Sequence, residues 1–64
     1  MDATKGPPPL FTGLEPGMLV RHPGAPDWGV GQVQSVIGER VTVNFEHAGK
    51  QTIRADRVSL EIVG

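Results

Sequence analysis

The clearest signal in the chain is a period of two. Val41, Val43 and Phe45 alternate with Thr42, Asn44 and Glu46, which predicts a strand with one face buried and the other in water. Similar short segments lie on both sides. Residues 18–22 predict a first strand, 30–37 a second, 41–46 the third, 50–54 a fourth with Ile53 inward, and 59–63 a fifth. Between them sits turn chemistry. Glu15-Pro16-Gly17 places proline and glycine at the central positions of a type II turn. Gly38-Glu39 predicts a two-residue hairpin of type II′, which favours glycine first. His47-Ala48-Gly49 predicts the next hairpin, and Ala55-Asp56-Arg57 is short enough for a single 3₁₀ turn. Two prolines and two glycines make residues 23–29 a loop. Gly31, inside the second strand, predicts a bend or a close approach of backbone.

Five short strands in about fifty residues are too little chain for two stacked sheets. They bury a common core by curling into one small, bent barrel. The expected fold is therefore all-β, a five-stranded SH3-like barrel; an OB-fold normally needs a longer chain and a helix between strands. The expected core is Val20, Val33, Val36 or Ile37, Val41, Val43, Phe45, Ile53, Val58, Leu60 and Ile62. Residues 1–14 stand apart. Gly6-Pro7-Pro8-Pro9 favours an extended, solvated backbone, and Leu10 and Phe11 bury too little to offset an ordering cost of about 1–2 kcal/mol per residue. The expected organisation is a disordered Pro-rich arm over 1–14 and a barrel over 15–64.

Composition narrows the chemistry. With 64 residues and no cysteine, there is one domain, no disulfide and no thiolate zinc site. A net charge of −1 argues against binding nucleic acid or anionic membrane by charge alone. No run approaches the ~18 apolar residues of a membrane span, and Met1-Asp2-Ala3-Thr4-Lys5-Gly6 lacks the apolar centre of a secretory signal. The chain reads as a complete, cytoplasmic, monomeric protein.

Ser35, His22 and Asp27 can be written as a triad, but Ser35 falls mid-strand rather than on a strained turn, and so small a barrel fills its own interior. No enzyme is expected, and no cofactor. His22, Asp27 and His47 make a poor metal set, since strand-end histidines more often meet solvent or a backbone carbonyl. Two Phe, one Trp and no Tyr are too few rings for a cation-binding aromatic cage or a base-stacking platform. The outward face carries Gln32, Gln34, Thr42, Asn44, Glu46, Lys50, Thr52 and Arg54, polar and mixed in sign. Lys50, Arg54 and Arg57 form a small basic corner interrupted by Asp56. Trp28, in a Pro/Gly loop beside Asp27, has two readings: a cap over the open end of the barrel, or a contact anchor of the kind enriched in interface hot spots. An edge strand offers a further route, through strand addition by a partner.

Three segments carry a family resemblance: Gly17-Met18-Leu19-Val20-Arg21-His22-Pro23, Gly29-Val30-Gly31-Gln32-Val33, and Val41-Thr42-Val43-Asn44-Phe45. Together they resemble a stand-alone bacterial family of small Tudor-like (SH3-like) domains with no assigned function. They are also similar to the C-terminal Tudor-like domain of UvrD/PcrA-type helicases and, more distantly, to the RNA-polymerase-interacting domain of CarD and of transcription-repair coupling factors. The resemblance spans residues 15–63. The insertion Gly24-Ala25-Pro26-Asp27 departs from the helicase domains, and no helicase motor is present. The resemblance implies a non-catalytic protein–protein interaction module that docks on transcription or DNA-repair machinery such as RNA polymerase, with His22, Asp27, Trp28, Lys50, Arg54 and Arg57 as the expected contact residues. The alternative is a nucleic-acid-binding barrel of KOW type, which shares the Gly-x-Gly-x-Val strand.

Overall fold

The computed structural model of the protein describes residues 13–64. In chain order it comprises β1 (Leu19–Arg21), a 3₁₀ turn (Pro26–Trp28), β2 (Val30–Ile37), β3 (Arg40–Phe45), β4 (Gly49–Arg54) and β5 (Glu61–Ile62). No α-helix occurs among the described residues, and so none long and apolar enough to cross a membrane. The strands form one antiparallel sheet in the order β4-β3-β2-β1-β5. A lone flat sheet leaves both faces wet. Here Val20, Val41 and Val43 are 0% exposed with no second layer to cover them, so the sheet wraps around its own inner face. The molecule is the small SH3-like barrel that the strand pattern predicts.

Turn chemistry sets the corners. The Met18 N–H donates to the Glu15 carbonyl at 3.1 Å, and Gly17 has φ 96°, the geometry of a type II turn. At the β2–β3 hairpin Gly38 has φ 59°, and among the described residues no non-glycine residue has positive φ. Type I′ needs positive φ at both central positions, so the turn is type II′. Residues 55–57 form a hydrogen-bonded turn, with the Arg57 N–H donating to the Arg54 carbonyl at 2.9 Å. Among the described residues the 3₁₀ segment instead lies at Pro26–Trp28, inside the loop expected to be irregular.

Val20, Val33, Val41, Val43, Phe45 and Ile53 are buried, and Leu14, Met18, Trp28, Val36, Ala48, Ala55, Val58 and Leu60 pack against them. Two expectations are corrected. Ile62 stands opposite Val20, on the inward side, yet is 53% exposed; β5 is the last strand of the sheet, and nothing among the described residues continues the wall beyond it. Leu14, assigned to the arm, joins the core periphery; the rest of that arm, up to Thr12, lies outside the described residues. The choice between Val36 and Ile37 falls to Val36. Val33 pairs with Val43 and Ser35 with Thr42, leaving Gln34 as an extra residue. A bulge of this kind inverts the alternation, so Val36 faces in opposite Val41 and Ile37 faces out.

Candidate functional site

The best-built surface feature is the loop between β1 and β2. Its first turn is closed by the Ala25 N–H donating to the His22 carbonyl at 3.1 Å. The Gly24 N–H donates to His22 Nδ1 at 3.0 Å, which fixes the imidazole against the turn. Pro26 then starts the 3₁₀ turn, where its missing N–H costs nothing. The Trp28 N–H donates to the Ala25 carbonyl at 3.0 Å and the Gly29 N–H to the Pro26 carbonyl at 3.3 Å.

The loop is seated on the β3–β4 turn. The His47 N–H donates to the Trp28 carbonyl at 3.0 Å and the Glu46 N–H to the Val30 carbonyl at 2.9 Å. The Glu46 carboxylate accepts the Val30 N–H at 3.1 Å. Charge-assisted bonds of this type are about twice as strong as neutral ones. Above this clamp three rings meet edge to face. His22 and Trp28 have centroids 5.0 Å apart at 60°, and Trp28 and Phe45 5.1 Å apart at 62°. Phe45 belongs to the core and Trp28 is half-buried. The indole therefore covers this end of the core while remaining partly exposed.

Gly29 makes this packing possible. It has φ 80°, and a Cβ there would stand 2.7 Å from His47 Cδ2 and 2.9 Å from Glu46 Oε1. Gly29→Ala is expected to cost about 1–3 kcal/mol through backbone strain and crowding. Trp28 emission should shift to longer wavelength as the loop lifts. A variant with unchanged stability and emission would show that the seat tolerates a methyl group.

The expected contact residues divide between the two ends of the barrel. His22, Asp27 and Trp28 lie on the loop, and Lys50 lies on the outer face at the same end, opposite Asn44. Arg54 is at the far end of β4, opposite Arg40, roughly 13 Å along the strand from Lys50. Arg57 follows in the next turn. Arg54 is already engaged: Asp56 accepts from its Nε and Nη2 at 3.2 and 3.1 Å, and Glu39 from Nη2 at 3.4 Å. Ser35 lies towards the hairpin end of β2, opposite Thr42, away from His22 and Asp27. Among the described residues no three His, Asp or Glu side chains gather as a metal set. The sequence reading missed Glu46 as a clamp and Phe45 as the platform of Trp28, because both act across chain separations that periodicity does not encode.

A family profile described as a protein of unknown function, DUF3553, matches residues 14–63. The chain belongs to this family. No curated protein and no solved structure matches it. The DUF3553 unit coincides with the barrel. It starts at Leu14, which packs against the core, and ends at Val63, whose N–H donates to the Leu19 carbonyl at 2.9 Å and extends the β1–β5 pairing.

Proposed function

We propose that this DUF3553 barrel is a non-catalytic docking module for a protein partner in transcription or DNA repair, RNA polymerase being the partner class implied by the Tudor-like resemblance. One observation carries the reading: Trp28 is only partly buried yet held edge to face by His22 and Phe45, on a loop clamped by Glu46. A large ring that is already ordered loses little entropy on binding, which is what makes a contact anchor effective. Asp27 beside it and Lys50 at the same end supply polar rim contacts. The engaged Arg54 and the net charge of −1 weigh against the nucleic-acid alternative.

The test is binding of purified bacterial RNA polymerase to the immobilised full chain, compared with Trp28→Ala and with the surface variant Asp27→Lys. Binding is expected to weaken at least about tenfold for Trp28→Ala and to fall measurably for Asp27→Lys. No binding of the unsubstituted chain would remove this partner. Equal binding of a folded Trp28→Ala would remove this surface. Binding of duplex or single-stranded DNA that collapses with added salt would favour the KOW-type alternative.

A further inference from the structure

The end of the barrel opposite Trp28 carries a second organised feature. Ile37 is 74% exposed, the most exposed large apolar side chain among the described residues. The bulge at Gln34 turns it outward, into a row across the outer face: Ile37 opposite Arg40, and Arg40 opposite Arg54. The tip is pinned rather than loose. The Ala55 N–H donates to the Glu39 carbonyl at 2.7 Å, and Arg54 Nη2 reaches the Glu39 carboxylate at 3.4 Å. Glu39 thus fastens the hairpin to the end of β4 by its side chain and to the turn that follows by its main chain. Arg54 is the strut of this arrangement, held also by Asp56 at 3.1 Å. Among the described residues Arg40 and Arg57 have no ion-pair partner. A shallow hollow walled by Ile37, Gly38, Glu39 and Arg40 opens at the hairpin, and nothing stands within 4 Å of where a Gly38 side chain would begin.

We infer that the tip of the β2–β3 hairpin is a second contact surface, which takes an acidic segment of a partner protein carrying an apolar side chain. The apolar group lies in the hollow against Ile37 and Gly38, and carboxylates reach Arg40 and Arg57. Other occupants fit less well. Glu39 and Asp56 both engage Arg54, which leaves two guanidiniums for a short acidic segment but no continuous basic stripe for a nucleic-acid backbone or an anionic bilayer, and among the described residues no aromatic ring is there for a base to stack on. A second copy meeting this tip about a two-fold axis would bring two sets of unpaired arginines, Arg40 and Arg57, to one seam. Because the two surfaces sit at opposite ends of the sheet, this inference stands or falls separately from the Trp28 site.

The test is an ¹⁵N-resolved titration of the full chain with a decapeptide alternating Asp and Leu. A decapeptide alternating Lys and Leu, a single-stranded oligonucleotide and anionic vesicles serve as comparisons. The acidic peptide should shift the amides of Ile37, Gly38, Arg40 and Arg57 and leave the Trp28 indole in place. Its affinity should drop about tenfold with Arg40→Glu and with Ile37→Asp, both exposed positions that leave the fold intact. Gln32→Ala, an exposed change on the outer face away from the tip, should bind as the unsubstituted chain does. Equal binding of the lysine peptide, shifts confined to the Trp28 loop, or undiminished affinity in Arg40→Glu would overturn the assignment. So would an oligonucleotide or vesicles that occupy the tip more tightly than the peptide.

Discussion

Gly31→Val is expected to abolish cooperative folding, and Gly31→Ala to lower the melting temperature by roughly 5–20 °C, from a cost of about 1–3 kcal/mol in a domain this small. Gly31 is at the centre of the inward row, opposite Val20 on one side and Phe45 on the other. Its absent side chain is the space the Phe45 ring occupies. A Cβ there would run into Val43 Cγ1 and stand 2.6 Å from Phe45 Cδ1. Neither neighbour yields easily, since Val43 is 0% and Phe45 2% exposed. Backbone entropy works the other way: alanine in a strand interior is normally favoured over glycine by about 0.5–1 kcal/mol. The steric cost exceeds that gain, and the branched valine adds two more carbons to a filled volume. A domain of this length holds roughly 3–8 kcal/mol in total, so there is little reserve. Thermal unfolding followed by Trp28 emission reads the result. A Gly31→Ala variant as stable as the unsubstituted chain would show that the ring moves aside at no cost.

This position also shows what the sequence discloses. A glycine in the middle of a strand pattern signals a bend or a close approach, and here the approach comes from a ring fourteen residues further on. The alternation at Val41, Val43 and Phe45 and the turn chemistry at Pro16-Gly17 and Gly38-Glu39 are local properties, and they read directly into the fold. The bulge does not. Gln32 and Gln34 are both polar and exposed, so the pattern carries no mark of where the register slips; only the need to bring Val36 opposite Val41 shows it. Ile62 fails differently. Its parity is right, but burial depends on a neighbouring wall, which a strand sequence does not reveal.

The site divides along the same line. Trp28 was visible as an unusual residue in a Pro/Gly loop, whereas its support from Phe45 and the Glu46 clamp arise from tertiary placement. Lys50, Arg54 and Arg57 look like one basic corner when written in a row. An extended strand separates residues four apart by roughly 13 Å, and Arg54 goes to the hairpin end to hold Glu39. That separation gives the barrel two differently built ends, an aromatic one and an aliphatic–basic one. A small filled core makes such rims the available contact surface.

Phe45 connects the core to the aromatic end, and its truncation is expected to have the other large effect. Phe45→Ala removes a ring that is 2% exposed, which typically costs about 3–5 kcal/mol, comparable to the whole stability of the domain. The variant should be largely unfolded at 25 °C. Phe45→Leu keeps an apolar side chain in the same volume and should fold with a loss of about 1–2 kcal/mol, which isolates the second role of the ring. Without the edge-to-face partner 5.1 Å from it, the indole forfeits about 0.5–1.5 kcal/mol of positioning. Its emission should move to longer wavelength, and acrylamide should quench it more readily. If Trp28 is the anchor, partner binding weakens in Phe45→Leu even though residue 45 is too deeply buried to touch a partner. A folded Phe45→Leu with unchanged Trp28 emission would place the whole task of holding the indole on His22 and the Glu46-clamped loop. The aromatic end would then be independent of the core beneath it.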